Sequence, residues 1–150
     1  MAEDARTPVD EPITVSAVIV RNAVGHVLAV RKRGTDLLMF PGGKPEPGES
    51  AEQAAVREFA EELGVELRAP DLQLVGEFTA PAANEPGRQV HATVFEHRFV
   101  AVSAPCAEIE HVIWIDPHMP DLQLAPLLRD QVFPALRRTS GQGGPTAARS

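Results

Sequence analysis

The sequence predicts a mixed α/β (α+β) layered domain, and three observations carry that prediction. β-branched runs open the chain, a well-capped amphipathic helix follows them, and further apolar runs lead into a second helical segment. The 150 residues suffice for one globular domain and leave little room for another. Apolar residues at 43% and charged residues at 23% exclude disordered and collagen-like classes.

The first two strands are ITVSAVIV (13–20) and HVLAVRKR (26–33), read as a hairpin across Arg21-Asn22-Ala23-Val24-Gly25. DLLMF (36–40) is a short apolar piece that runs into Pro41-Gly42-Gly43. From Ser50 to Leu63 the pattern is helical: Ser50 and Gln53 form a capping box, and Gly64 is a natural stop. Ala51, Ala54, Ala55, Phe59 and Leu63 make its apolar stripe. Three more strands are expected at 72–79, 89–101 and 110–116, and a last helix at 126–138, kinked or interrupted at Pro134. The segment 80–88 (APAANEPGR) is either an ordered loop beside a site or a plain connection. Residues 1–11 and 139–150 read as flexible tails, which leaves 12–138 as the domain.

Several function classes are set aside by composition. No apolar run approaches the roughly 20 residues of a membrane span. The acidic, proline-containing start lacks the apolar core of a secretory signal. Cys106 is the single cysteine, so no internal disulfide or multi-cysteine metal site is expected, and a reducing, cytoplasmic setting fits. It sits in SAPCAE with no cation beside it and reads as an inert residue. A net charge of -7 argues against a nucleic-acid polymer as partner.

The acid is not spread evenly. Between Lys44 and Glu66 stand seven carboxylates against two bases, while the rest of the chain is only -2. Glu58, Glu61 and Glu62 lie at i, i+3 and i+4 of the predicted helix and share a face. Alone, that pattern describes a solvated surface. Like charges at this spacing repel unless a cation sits among them, and oxygen donors suit a hard ion such as Mg²⁺. The loop ahead, 41–48, offers a backbone carbonyl to a metal and the Lys44 charge to a phosphate.

These features arrive in a fixed order. Gly43, five residues, Glu49, seven residues, then Arg57-Glu58-Phe59-Ala60-Glu61-Glu62-Leu63-Gly64-Val65 resembles the full signature of the Nudix hydrolases. Seven specified residues over 23 positions make chance agreement negligible. The resemblance covers about 13–138 and implies an α/β/α sandwich with a mixed sheet, and hydrolysis of a nucleoside diphosphate linked to another moiety. It implies metal ligation by Glu58, Glu61, Glu62 and a Gly42 or Gly43 carbonyl, with Glu58 positioning or deprotonating water. Arg57 would orient the glutamates, and Glu49 would support the metal or the loop. Mg²⁺ is the implied cofactor, Mn²⁺ the alternative, and a homodimer is possible in such a family.

The substrate signals are finer. Phe40-Pro41-Gly42-Gly43-Lys44 and the basic run Arg31-Lys32-Arg33 are similar to MutT-like relatives that cleave nucleoside triphosphates. Strand alternation puts Arg31 and Arg33 on one face and Lys32 on the other. Pro81, 16 residues past Val65, is close to the proline of ADP-ribose-cleaving relatives and keeps a nucleotide-sugar or ADP-ribose activity as the alternative. A ligand-sensing module would be expected to lose box glutamates, and none is lost. An isoprenoid-diphosphate isomerase would need a catalytic cysteine that Cys106 is poorly placed to supply. Glu77, Glu85, Glu96, Glu108 and Glu110 are all candidates for a fourth acid. His91 and His97 share a strand face, Trp114 reads as core, and Phe78 as core or base platform.

Overall fold

The computed structural model describes residues 12–82, 86–102, 105–106, 108–118 and 123–137. Both expected tails and Glu85 lie outside them. Among the described residues, six strands, two helices and a short 3₁₀ turn at Ala69–Asp71 form an α/β/α sandwich. In chain order the strands and helices are β1 (Ile13–Val20), β2 (Val27–Lys32), β3 (Gly42–Gly43), α1 (Ala51–Leu63), β4 (Gln73–Pro81), β5 (Gln89–His97), β6 (Ile109–Ile115) and the helical segment α2 at 126–137.

The main sheet runs β3-β1-β5-β4. It is mixed: β1 lies parallel to β5, with Ile13 opposite Val90, while β3 and β4 are antiparallel to their neighbours. Strand alternation divides the core in two. Ala17, Ile19, Ala92 and Val94 face α2, where Leu128, Val132 and Phe133 meet them. Val18, Val20 and Phe95 face α1, where Ala55, Phe59 and Leu63 meet them. Val27 and Ala29 of β2 join the first cluster, and Leu28 and Val30 join the second.

The hairpin expectation needs correcting. The turn forms: Gly25 donates to the Asn22 carbonyl, and Asn22 donates to that of His26. Beyond an Arg21–Val27 bridge the strands part, and β2 pairs with β6 instead. Both edges of β1 are occupied, by β3 on one side and β5 on the other, so no ladder position is left for β2.

The last helix also departs from regularity. Leu127–Val132 winds as a π-helix, with Phe133 N–H donating to Leu128 O. Pro134 has no N–H to give to the Asp130 carbonyl, so one regular helical bond is absent next to this turn. Among the described residues no helix is long and apolar enough to cross a membrane.

Candidate active site

The loop before α1 is anchored by reciprocal bonds. Ser50 N–H donates to Gln53 Oε1, and Ser50 Oγ accepts from Gln53 N–H, so the expected capping box is present. Glu49 Oε1 accepts from Glu46 N–H at 2.8 Å, folding 46–49 into a compact turn. Gly64 ends the helix in the left-handed region at φ 69°.

Arg57 organises the acids. Its Nε and Nη2 donate to the two oxygens of Glu49 at 2.7 and 2.9 Å, a bidentate pair. Its Nη1 reaches Glu58 at 3.1 Å and Glu61 at 3.4 Å, and Nη2 donates to the Lys44 carbonyl at 3.1 Å. The hydrogen bonds from Arg57, joined by the Glu46 amide, hold Glu49 down to a pKa of about 2. The same bonds raise Arg57 above its ordinary value. Glu49 therefore acts on the loop both through Arg57 and directly through the Glu46 amide.

A folded-state pKa below the usual carboxylate value stabilises the protein only while the group is ionised. The Glu49 contribution is thus fully present above about pH 4.5 and is lost as pH falls towards 2. Glu49→Gln is expected to flatten the pH dependence of the melting temperature across that window. Parallel profiles for variant and parent would show that the pair adds nothing.

Glu62 lies on the buried face of α1 at 5% exposure. Gly42 N–H donates to its Oε1 at 3.2 Å, and Lys32 Nζ stands 3.7 Å from Oε2. Burial pushes its pKa up to about 7 against the opposing pull of Lys32. Glu58 packs over Gly43 so closely that a Cβ built there would strike its carboxylate. The three glutamates therefore grade from buried Glu62 through Glu58 to half-exposed Glu61.

Glu58, Glu61 and Glu62 line one acidic cleft with Lys32, Lys44 and Glu108. An apolar cavity of about 210 Å³ adjoins it, and Val15, Lys32, Gly43 and Lys44 line both. The carboxylate cleft thus joins the apolar cavity across two lysines. A family model described as the NUDIX domain matches residues 10–136. The chain belongs to the Nudix family.

Similarity to curated Nudix relatives is uneven along the chain. It is 35% identical over 109 residues to the CTP pyrophosphohydrolase of Escherichia coli, covering 70% of this chain and 76% of that protein. To the 8-oxo-dGTP diphosphatase of Haemophilus influenzae it is 47% identical over 57 residues, covering 35% of this chain and 42% of that protein. The chain thus spans less than half the length of the second relative. The fold is similar to the crystal structure of a MutT protein from Methanosarcina mazei, with TM-score 0.72 and 22% identity over 87% of this chain and 96% of that one.

Against the Nudix signature, the residues expected from sequence divide clearly. Glu58, Glu61, Glu62, Gly43, Lys44 and Lys32 line the cleft. Arg31 and Arg33 do not. Arg31 donates to the Thr35 carbonyl at 2.9 Å and pairs with Glu110 at 3.1 Å, outside the cleft. A register shift between Arg31 and Lys32 sets Arg31 opposite His111 and Lys32 opposite Ile109 in the β2–β6 ladder. Of the fourth-acid candidates, Glu77 pairs with His91, Glu96 with Arg21 and Glu110 with Arg31. Glu108 alone of the described candidates lines the cleft. Its carbonyl accepts from Arg33 N–H at 2.7 Å, and Cys106 N–H donates to Glu62 O at 2.8 Å, so its segment is fastened to β2 and to α1.

His97 is a satisfied core histidine: its Nδ1 faces Arg98 O at 2.9 Å. Trp114 packs beside Phe99, and Phe78 packs against the core facing α2. Sequence reasoning missed Ser16, whose Oγ donates to Ala51 O and ties β1 to the first turn of α1. It also missed the apolar cavity, because its walls come from six separate stretches of chain.

Among the described residues, no three acidic, histidine or cysteine side chains are gathered into a ready-made metal shell. Arg57 and Lys32 instead stand against the carboxylates. The donors nevertheless fit a hard divalent ion. They are all oxygens, and buried Glu62 has only one amide and a distant ammonium for partners.

Proposed function

We propose that this chain is a Mg²⁺-dependent Nudix pyrophosphohydrolase that cleaves a nucleoside triphosphate to the monophosphate and pyrophosphate, with Mn²⁺ as the alternative ion. The observation that carries the reading is the acidic cleft joined to an apolar cavity across Lys32 and Lys44. A nucleotide divides the same way, into a polyanionic chain and a flat, largely apolar base. The names of the two curated relatives, a CTP pyrophosphohydrolase and an 8-oxo-dGTP diphosphatase, fit this substrate class.

Glu58, Glu61 and Glu62 with the Gly43 carbonyl are the proposed metal ligands, and Glu108 is the fourth acid. A cation bound there would neutralise the phosphates and polarise the attacked phosphorus. Glu58 orients the attacking water and takes its proton. The water oxygen bonds to one phosphorus of the α–β anhydride, the bridging P–O bond to that phosphorus breaks, and the bridging oxygen leaves with the other group, giving the monophosphate and pyrophosphate. Arg57 and Glu49 are positioning residues that hold the loop and Glu58 in register. Lys32 and Lys44 meet the phosphate chain. Catalysis here is positioning and charge stabilisation, with no covalent nucleophile.

Stoichiometric release of pyrophosphate from a deoxynucleoside triphosphate with Mg²⁺, abolished by a chelator, tests the reading. Lys32→Ala and Lys44→Ala are each expected to raise KM for the triphosphate at least about fivefold at fixed ionic strength, while Arg31→Ala leaves it unchanged. An Arg31 effect equal to that of Lys32 would reject this assignment of the phosphate contacts. A second reading rests on Pro81, which lines the apolar cavity and keeps ADP-ribose in the assay. Faster release of AMP and ribose phosphate from ADP-ribose would favour it.

A further inference from the structure

We infer, building on the metal and triphosphate reading above, that Lys32 is an exchangeable counter-ion for Glu62. Before a metal binds, its ammonium neutralises that buried carboxylate. When a metal takes the carboxylate, the ammonium is released and turns to the phosphate chain. One side chain thus couples the two binding events.

Burial makes a counter-ion necessary. A carboxylate taken out of water without an opposite charge costs stability, so the fold needs a cation beside Glu62. Lys32 Nζ supplies it from 3.7 Å on Oε2, while Gly42 N–H holds Oε1 at 3.2 Å. A hard divalent ion ligated by Glu62 needs the same oxygen on which the ammonium leans. Two cations at one carboxylate edge repel each other, and the one less firmly held moves.

The two cations beside the box glutamates are held very differently. Arg57 is fixed by two bonds to Glu49, at 2.7 and 2.9 Å, and by a third to the Lys44 carbonyl. It stays in place. Lys32 Nζ, at 3.7 Å, lies well beyond the roughly 2.7–2.9 Å of a charge-assisted hydrogen bond, on a flexible four-carbon stem. The backbone beneath it is firm, since its carbonyl accepts from Thr35 N–H at 3.1 Å and Thr35 Oγ1 at 2.8 Å. Only the stem has to turn. Lys32 also lines both the acidic cleft and the apolar cavity, so it stands on the border that a nucleotide would straddle.

The exchange has a thermodynamic signature. By linkage, metal and triphosphate each raise the affinity for the other by the same factor. Without metal the ammonium is engaged by Glu62, and a polyphosphate meets an acidic cleft with one base fewer to receive it.

Lys32 and Lys44 are the only two lysines in the sequence, so side-chain acylation has two targets and Lys44 is the internal reference. The full chain is treated with acetic anhydride at fixed pH and ionic strength, and the two peptides are read by mass spectrometry. Mg²⁺ alone is expected to raise Lys32 labelling relative to Lys44 at least about threefold, and Mg²⁺ with a methylene-bridged triphosphate analogue to reverse the rise. An unchanged ratio at a Mg²⁺ concentration that calorimetry shows to be bound overturns the exchange. Lys32→Met and Lys44→Met each remove one positive charge from the cleft, so a purely Coulombic effect would tighten Mg²⁺ binding equally in both. Lys32→Met is expected to tighten it at least about fivefold more than Lys44→Met, and equal shifts overturn the proposal. Should Lys32→Met fail to fold, labelling of the parent chain decides alone. Calorimetry that finds no Mg²⁺ binding by the parent rejects the metal reading, and the exchange with it. That failure is distinguishable because it requires neither labelling nor a variant.

Discussion

Replacing Glu58 by glutamine is expected to lower kcat at least about 100-fold and to leave the melting temperature within a few degrees of the parent. The side chain keeps its shape over Gly43, where its carboxylate packs against the backbone, so little in the fold has reason to move. What disappears is the charge and, with it, the proposed proton acceptor. Glutamine cannot take a proton from water, and its amide oxygen is a weaker donor to a hard cation. The bond from Arg57 Nη1, 3.1 Å in the parent, loses its ionic character, but Glu49 still holds the guanidinium by two bonds. A variant within tenfold of the parent would remove Glu58 from the chemistry.

Adjacent glycines are expected to fail in different ways. Gly42 has φ 151°, in the region that disfavours side chains, and pairs with Ala17 in the ladder. A Cβ there would run into the Ser16 carbonyl oxygen and lie 2.9 Å from Ala17 Cα. Both obstacles are backbone of β1, which is fixed by its own ladders on both edges. Gly42→Ala is therefore expected to destabilise the protein by at least about 3 kcal/mol, or about 10 °C in melting temperature. At Gly43 the obstacle is the far end of the Glu58 side chain, which can swing aside. Gly43→Ala should keep most of the stability and lose most of the rate. Thermal melts and steady-state kinetics on the pair decide this, and equal loss of stability in both variants would refute it.

The local devices were legible in the sequence because their causes are local. Ser50, Gln53 and Gly64 mark the ends of α1 by capping chemistry within a few residues, and all three act as the spacing predicts. The spacing from Gly43 to Gly64 carried the family. Partnership was not legible. Nothing in ITVSAVIV or HVLAVRKR says that the two strands separate after their turn, since that depends on Gly42–Gly43 and β5 claiming the edges of β1. The faces of the basic run were read correctly in principle, yet only the fold shows that Lys32 turns to the cleft while Arg31 meets Glu110. The same holds for Glu108, one of five equivalent acids until the tethers of its segment are seen.

The parallel pairing of Ile13 with Val90 has a consequence for how the chain is made. Strand β1 is translated first, but its parallel partner is completed only after α1 and β4 have left the ribosome. At about 5–20 residues per second, β1 waits several seconds with one edge open and an apolar face uncovered. Non-local pairing of this kind is slow to form, because the long intervening loop must close before any ladder bond rewards it. The acidic helix, by contrast, can cap and wind on its own sequence signals during the wait. Nascent chains halted before Gln89 should therefore bind chaperone or aggregate through β1, and those halted after His97 should not.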